Sequence, residues 1–196
     1  MPESLTVKLP KSFFQQPTIE VARGLLGKVL THQTAEGSTA GRIVEVEAYL
    51  SCDDPACHAS RGKTARNAAM FGPAGTAYVY LIYGMYYCFN VVTGPEEEGE
   101  AVLVRALEPL LKLELMATRR GTDDVRQLAS GPGKLCQALA ISRKQDGLDL
   151  TSSPLMLTDD GYMADNIITA TRIGISVAVN LPLRFYVAGN PYVSRK

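Results

Sequence analysis

Glu45, Glu47 and Tyr49 alternate with apolar residues along Gly41-Arg42-Ile43-Val44-Glu45-Val46-Glu47-Ala48-Tyr49-Leu50. On a β-strand alternate side chains share a face. These three therefore project one way, and Val44, Val46, Ala48 and Leu50 the other. Two carboxylates beside a phenol can take a proton from an attacking water or stabilise a developing positive charge. The segment alone reads more simply as one strand of a sheet whose outer face is solvated.

A second stretch shifts that balance. Ala77 to Asn90 holds five tyrosines and one phenylalanine. Tyrosine suits half-buried strands, so core packing accounts for most of them. Tyr83 is different, because it stands beside Gly84 where two strands should meet in a hairpin. Core packing explains a large ring at an exposed tip poorly. Wedging between stacked bases explains it well, since proteins that open or kink a duplex use such wedges.

Elements must hold these groups in place. Thr18 to Leu26 reads as a short helix, with Pro17 near its first turn and Gly27 closing it. Lys28 to Gln33 and Thr39 to Tyr49 read as strands around a Gly37-Ser38 turn. Leu50 to Ala74 reads as a long loop, a length that is often functional. The tyrosine-rich stretch gives two strands, and Val102 to Leu107 another. Pro109 to Met116 reads as a helix ending near Arg119, Arg120 and Gly121. Ser130 to Leu139 reads as a capped helix start, and Leu183 to Val187 as a last strand. With no regular βαβ alternation, the expected fold class is α+β. It would be a single mixed domain over residues 1–196, built around a curved, open-barrel-like antiparallel β-sheet with flanking helices and a protruding hairpin.

Composition narrows the class. The chain has 196 residues and a formal net charge of zero. Zero charge counts against a strong nonspecific nucleic-acid binder, yet its distribution is uneven. Pro55 to Pro95 contains no Asp or Glu but includes Arg61, Lys63 and Arg66. No basic segment followed by an apolar one stands at the start of the sequence, so a secretory signal is not expected, and the most apolar stretch is too short to cross a membrane. The expectation is an intracellular protein, cytoplasmic and nucleoid-associated if bacterial, nuclear if eukaryotic. Its four cysteines, Cys52, Cys57, Cys88 and Cys136, should then be reduced thiols. Cys52, Cys57 and His58 start a metal-like set that no second pair completes, so no metal is expected.

Several motifs, in order and over nearly the whole length, resemble the alkyladenine (3-methyladenine) DNA glycosylase family. They are Arg42-Ile43-Val44-Glu45-Val46-Glu47-Ala48-Tyr49, Asp54 with His58, Ser60, Arg61 and Gly62, and Thr64 with Arg66, Asn67, Met70 and Phe71. Then follow Gly75 to Tyr86 reaching Asn90, Leu103 with Arg105 to Pro109, Ser130 to Leu139, Leu183 to Val187, and Asn190 to Ser194. The resemblance implies Glu47 as general base for water and Arg105 beside it, helping to hold the water and the nearby phosphate. It implies Tyr49, His58 and Tyr80 as the residues that sandwich a flipped base. Asn90 would discriminate against normal guanine, and Tyr83 would intercalate. Arg61, Thr64, Arg66, Met85, Tyr86 and Lys134 would meet the DNA backbone.

The resemblance further implies no cofactor, no metal and no lysine nucleophile, hence no lyase activity. The partner would be double-stranded DNA containing damaged purines (3-methyladenine, 7-methylguanine, hypoxanthine or ethenoadenine), and the simplest oligomeric state is a monomer. Extruding a base costs a few kcal/mol of unstacking, and glycosidic cleavage builds positive charge on the sugar that a carboxylate can stabilise. Tyrosine faces attract a cationic base by roughly 0.5–2 kcal/mol.

Other signals are weaker. Gly131-Pro132-Gly133-Lys134 lacks the spacing and the Ser or Thr of a phosphate loop; it reads better as a helix start that grips a DNA phosphate. Glu45 reads as structural, paired with an arginine, and Cys88 and Cys136 as buried and inert. The acidic turn at residues 93–100 must point away from phosphate. Two rival functions remain: a module that binds damaged nucleic acid without cutting it, and a hydrolase of free nucleosides.

Overall fold

The computed structural model describes residues 6–152 and 154–194. Its strands are β1 (Val7–Lys8), β2 (Val29–Thr34), β3 (Gly37–Tyr49), β4 (Ala77–Ile82), β5 (Tyr86–Thr93), β6 (Glu100–Leu111), β7 (Leu155–Asp159), β8 (Ile167–Ala170) and β9 (Arg184–Val187). Its helices are α1 (Lys11–Phe14), α2 (Thr18–Leu25), α3 (Leu113–Arg120) and α4 (Pro132–Ala138). Among the described residues nine strands form one antiparallel sheet that does not close; seven run in the order β1-β7-β2-β3-β6-β5-β4, and β9 and β8 branch from β3. The α+β architecture is thus as the sequence implies.

β3 is the spine of this sheet. Its first half pairs with β2 from Val29↔Arg42 to Thr34↔Gly37, and its second half pairs on the same edge with β9 at Glu45↔Tyr186 to Glu47↔Arg184. β6 runs along the other edge, with register shifts around Ala40, Ile43 and Glu45. Such bulges bend and twist a strand, which lets β3 leave one partner and join another. β8 extends the sheet beyond β9.

The period of two sorts the central strands cleanly. Val44, Val46, Ala48, Val79, Phe89, Val91, Val102 and Val104 belong to the main core, which α1, α2 and α4 cover with Phe14, Val21, Ala22, Leu25, Leu135 and Cys136. A smaller cluster of Cys57, Met70, Phe71, Tyr78, Val92 and Ala101, with Tyr49 and Tyr80 against it, joins the 57–71 loop to the sheet. Short 3-10 turns at His58–Arg61 and Ala68–Phe71 are the regular structure in that loop.

Three expectations change. The β2–β3 turn falls at Ala35-Glu36, not Gly37-Ser38. Thr34 pairs with Gly37, whose φ of 128° closes the two-residue turn. Residues 109–111 extend β6 instead of opening a helix. Pro109 pairs with Gly41 where the register slips. β6 is free of β5 beyond Leu103, so the missing N–H of the proline breaks no ladder there. Lys112 then turns left-handed, with φ of 58°, and α3 starts after it. Ser130 does not cap α4: Gly131, φ 159°, occupies that position without a side-chain bond, and Pro132 takes the first helical place.

Candidate active site

Four adjacent strands present one row of residues on the face opposite the main core. Glu47 on β3 lies across from Leu103 on β6, Leu103 from Asn90 on β5, and Asn90 from Tyr78 on β4. At about 4.8 Å per strand, Glu47 and Asn90 sit about 10 Å apart on one surface. The outer face is therefore not solvated, since Glu45 and Glu47 are both wholly buried.

The two carboxylates differ in their partners. Glu45 Oε1 accepts from Arg184 Nε at 2.7 Å and Arg105 Nε at 3.2 Å, and Oε2 accepts from the Ser194 N–H at 2.7 Å. It is a structural anchor between β3, β6 and the C-terminal segment. Glu47 Oε1 accepts from the Ile173 N–H at 2.7 Å and lies 3.2 Å from Arg105 Nη1, while Oε2 accepts from the Tyr49 hydroxyl at 2.9 Å. Burial raises the Glu47 carboxyl above the ordinary range, against the opposing pull of Arg105, the Ile173 N–H and Tyr49. Burial, with the Glu47 charge next, likewise raises the Tyr49 phenol and keeps it protonated.

A cavity of about 350 Å³ opens directly over these partners. Tyr49, His58, Arg66, Tyr80, Tyr83, Arg105 and Ile173 are among its walls. Glu47 is not a wall residue; it sits behind Tyr49, Arg105 and Ile173. A narrower space of about 20 Å³ continues between Tyr49, His58, Tyr80 and Asn90. Asn90 is fixed there by donating to the Tyr78 carbonyl at 3.0 Å. His58 and Tyr80 touch edge to face, with centroids 4.5 Å apart, so no planar ring fits between them as they stand. His58 Nδ1 lies 2.8 Å from the Tyr78 hydroxyl. The imidazole is exposed on one side, yet burial of its other side and the nearby Arg66 favour its neutral form. Two wider clefts lie elsewhere, one along α3 and one between Tyr86 and α4.

Tyr83 borders the cavity and stands 85% exposed. It and Gly84 both have positive φ, 51° and 69°, and the Met85 N–H returns to the Ile82 carbonyl at 3.2 Å. Ile82 pairs with Tyr86, so the turn holds three residues, Tyr83-Gly84-Met85, the first two of them left-handed. A tyrosine pays conformational strain to sit in it.

The remaining expected contact residues divide. Arg61, Thr64, Met85 and Tyr86 are exposed around the cavity and hairpin. Arg66 is exposed and donates to the Leu81 carbonyl at 3.0 Å. Lys134 lies against Gln127, on the other flank of the hairpin. The acidic turn folds back onto the basic loop, where Glu97 holds Lys63 at 2.9 Å. Cys88 lines the cavity, its thiol pushed up to about 11 by burial.

Sequence reasoning missed the loop that completes the site. Ile173, Gly174 and Ile175 form one wall, and Arg172 is a buried cation over the Tyr49 ring at 4.6 Å. One signal was available: Arg172 is the sole charged residue between Asp165 and Arg184. Such an isolated charge, where it is buried, must be paired.

The family described as methylpurine-DNA glycosylase matches residues 12–191. A protein of Methanoculleus marisnigri, named for 3-methyladenine DNA glycosylase, is 56% identical over 96% of this chain and 99% of its own. Proteins with the same name from Koribacter versatilis and Carboxydothermus hydrogenoformans are 49% and 48% identical, each over 96% of this chain and over 93% and 99% of their own. Fold, cavity and relatives together define a hydrolase of the DNA glycosylase class, an enzyme of base excision repair that acts on damaged DNA. The chain belongs to the methylpurine-DNA glycosylase family.

Proposed function

We propose that this enzyme removes alkylated or deaminated purines from duplex DNA as a monomer, using water activated by Glu47 and leaving an abasic site without cutting the strand. The observation that carries this reading is a wholly buried carboxylate held by Tyr49, Arg105 and Ile173, all three of which wall the aromatic cavity. The names of the relatives point to 3-methyladenine among the substrates. Hypoxanthine, ethenoadenine and 7-methylguanine have the same flat shape.

In the proposed cycle Tyr83 enters the duplex and fills the space the lesion leaves. Arg61, Thr64, Arg66, Met85, Tyr86 and Lys134 hold the strands. The flipped base parts His58 from Tyr80 and lies against Tyr49, with Asn90 reading its edge. In the tautomer that accepts from the Tyr78 hydroxyl at Nδ1, the His58 proton stands on Nε2, where it can donate to the base. Glu47 has no exposed surface at rest, so one of its donors must give way before water reaches it. The Tyr49 hydroxyl is the most replaceable of the three, being neither charged nor backbone. Water oxygen then bonds to the sugar carbon and Glu47 takes the water proton, while the glycosidic bond breaks and its electron pair leaves with the base; a cationic alkylated purine departs neutral, and a neutral lesion takes up a proton as it departs.

Single-turnover excision from end-labelled duplexes carrying hypoxanthine, ethenoadenine or 7-methylguanine tests this, with chelator present and alkali added to reveal abasic sites. Wild type should generate alkali-labile sites, and Glu47→Gln should be slower by at least about a hundredfold. Binding of lesion duplex without excision by either protein would reject the reading, and equally fast release from free nucleosides would reassign it.

A further inference from the structure

Arg172 touches neither the cavity nor Glu47, yet its two terminal nitrogens are bonded into the segments that hold Glu47, while its buried Nε has no hydrogen-bond partner among the described residues. Its Nη1 donates to Asp54 Oδ2 at 2.6 Å and to the Ala48 carbonyl at 3.0 Å, and its Nη2 to Asp54 Oδ1 at 2.6 Å. Both side chains of this pair are completely buried. The guanidinium lies over Tyr49, whose hydroxyl holds Glu47 Oε2. The next residue is Ile173, whose N–H holds Glu47 Oε1 and whose carbonyl accepts from Arg105 Nη1 at 3.4 Å. Asp54 in turn accepts from the Leu50 and Ala56 N–H groups, and its carbonyl accepts from Cys57 N–H beside His58. One ion pair thus ties together three walls of the cavity: the end of β3, the 54–58 turn and the 172–175 loop.

We infer that Arg172, clamped by Asp54, is a positioning residue for excision: it fixes the Ile173 backbone, and through it Glu47 Oε1, and it holds the Tyr49 ring where its hydroxyl can yield Oε2 to water. This rests on Glu47 being the base. A carboxylate held at Oε1 by the Ile173 N–H and Arg105 keeps one orientation while Oε2 is free to take the water, and a bidentate arginine fork supplies geometry that a lysine cannot.

The pair also belongs to the charge environment of Glu47. Facing that carboxylate are Glu45 and Tyr49 on β3, Arg105 on β6, Cys88 on β5, Arg184 on β9 and Arg172 on the loop. Removing the Arg172 charge should move the acid limb of the excision profile to higher pH. Removing the Asp54 charge, which leaves Arg172 unpaired, should move it to lower pH. A bond that merely stabilised the fold would leave the plateau rate of the folded, charge-free double variant at the wild-type value.

The test is single-turnover excision against pH, with equilibrium binding of a hypoxanthine duplex measured in parallel. It uses wild type, Arg172→Lys, Arg172→Met, Asp54→Asn and the double variant Asp54→Leu/Arg172→Met. The double variant removes both buried charges and so keeps a folded protein in hand. The plateau rate should fall in all four variants, toward the hundredfold that a misplacement of about 1 Å can produce, with the duplex Kd unchanged. The acid limbs of Arg172→Met and Asp54→Asn should move in opposite directions. A folded double variant with a wild-type plateau overturns the inference, as does a limb that moves in neither single variant. Glu47→Gln runs alongside: if it keeps the wild-type rate, the assignment of the base has failed instead.

Discussion

The two faces of the β3-β6-β5-β4 surface are equally buried and chemically opposite. One face carries Val46, Ala48, Val79, Phe89, Val91, Val102 and Val104 against helices. The other carries Glu45, Glu47, Asn90 and Arg105 beneath two loops, with exposures of 7% or less. The first face is built by removing apolar area from water. The second is built by pairing each charge, since a buried charge without partners is prohibitive. The lesson is that helices supply the apolar lid and loops the polar one. A loop offers free backbone N–H and C=O groups, as Ile173 and Ala48 show; a helix has spent its own.

The sharpest way to break the comparison is within the polar face itself. Glu45→Gln should leave Arg184 and Arg105 partly unpaired in the interior and cost about 3–5 kcal/mol of unfolding free energy. Denaturant titration checks this, and a loss under 1 kcal/mol would contradict the anchoring role. Glu47→Gln, two residues away, should show the reverse. Excision falls at least about a hundredfold, or about 2.7 kcal/mol of barrier, while the melting temperature holds or rises. The sign follows from burial. A carboxyl whose folded pKa is raised gives stability that is fully present below its unfolded value, about 4.3. That stability is lost as pH rises through the folded value. Glutamine removes this penalty at neutral pH. For the same reason the acid limb of wild-type excision should lie above the ordinary carboxylate range.

Smaller effects sharpen the contrast at the surface. Tyr83→Ala should slow excision from duplex by about tenfold, because the unstacking cost of a few kcal/mol loses its offset; excision from single strands carrying the same lesion is the control. Glu97→Gln should change stability by less than about 1 kcal/mol, the worth of an exposed pair. By releasing Lys63 it should tighten DNA binding and steepen the salt dependence by about one phosphate contact.

Much of this was legible in the chain. Alternation put Glu45, Glu47 and Tyr49 on one face, and the Tyr83-Gly84 pair marked a hairpin tip. The turn at Ala35-Glu36 and the strand through Pro109 were misread because local signals were followed where pairing decides. Glycine looked like the turn itself but closes it, and proline looked like a helix start but sits at a slipped register. Arg172 escaped for a different reason. Its meaning lies in Asp54, 118 positions away, and no local pattern carries a bond of that span.

The handover of β3 from β2 to β9 has a consequence for biogenesis. The bond from Ser194 to Glu45 spans 149 positions, and Arg184 arrives on the same late strand. Contacts of such separation form slowly, because the loop must close before they reward it. A chain still emerging from the ribosome carries Glu45 and Glu47 long before the segment that seals them. The Glu45 anchor therefore closes only after the segment through Ser194 has emerged, and a chain interrupted before Arg184 lacks two of the three groups that donate to that carboxylate.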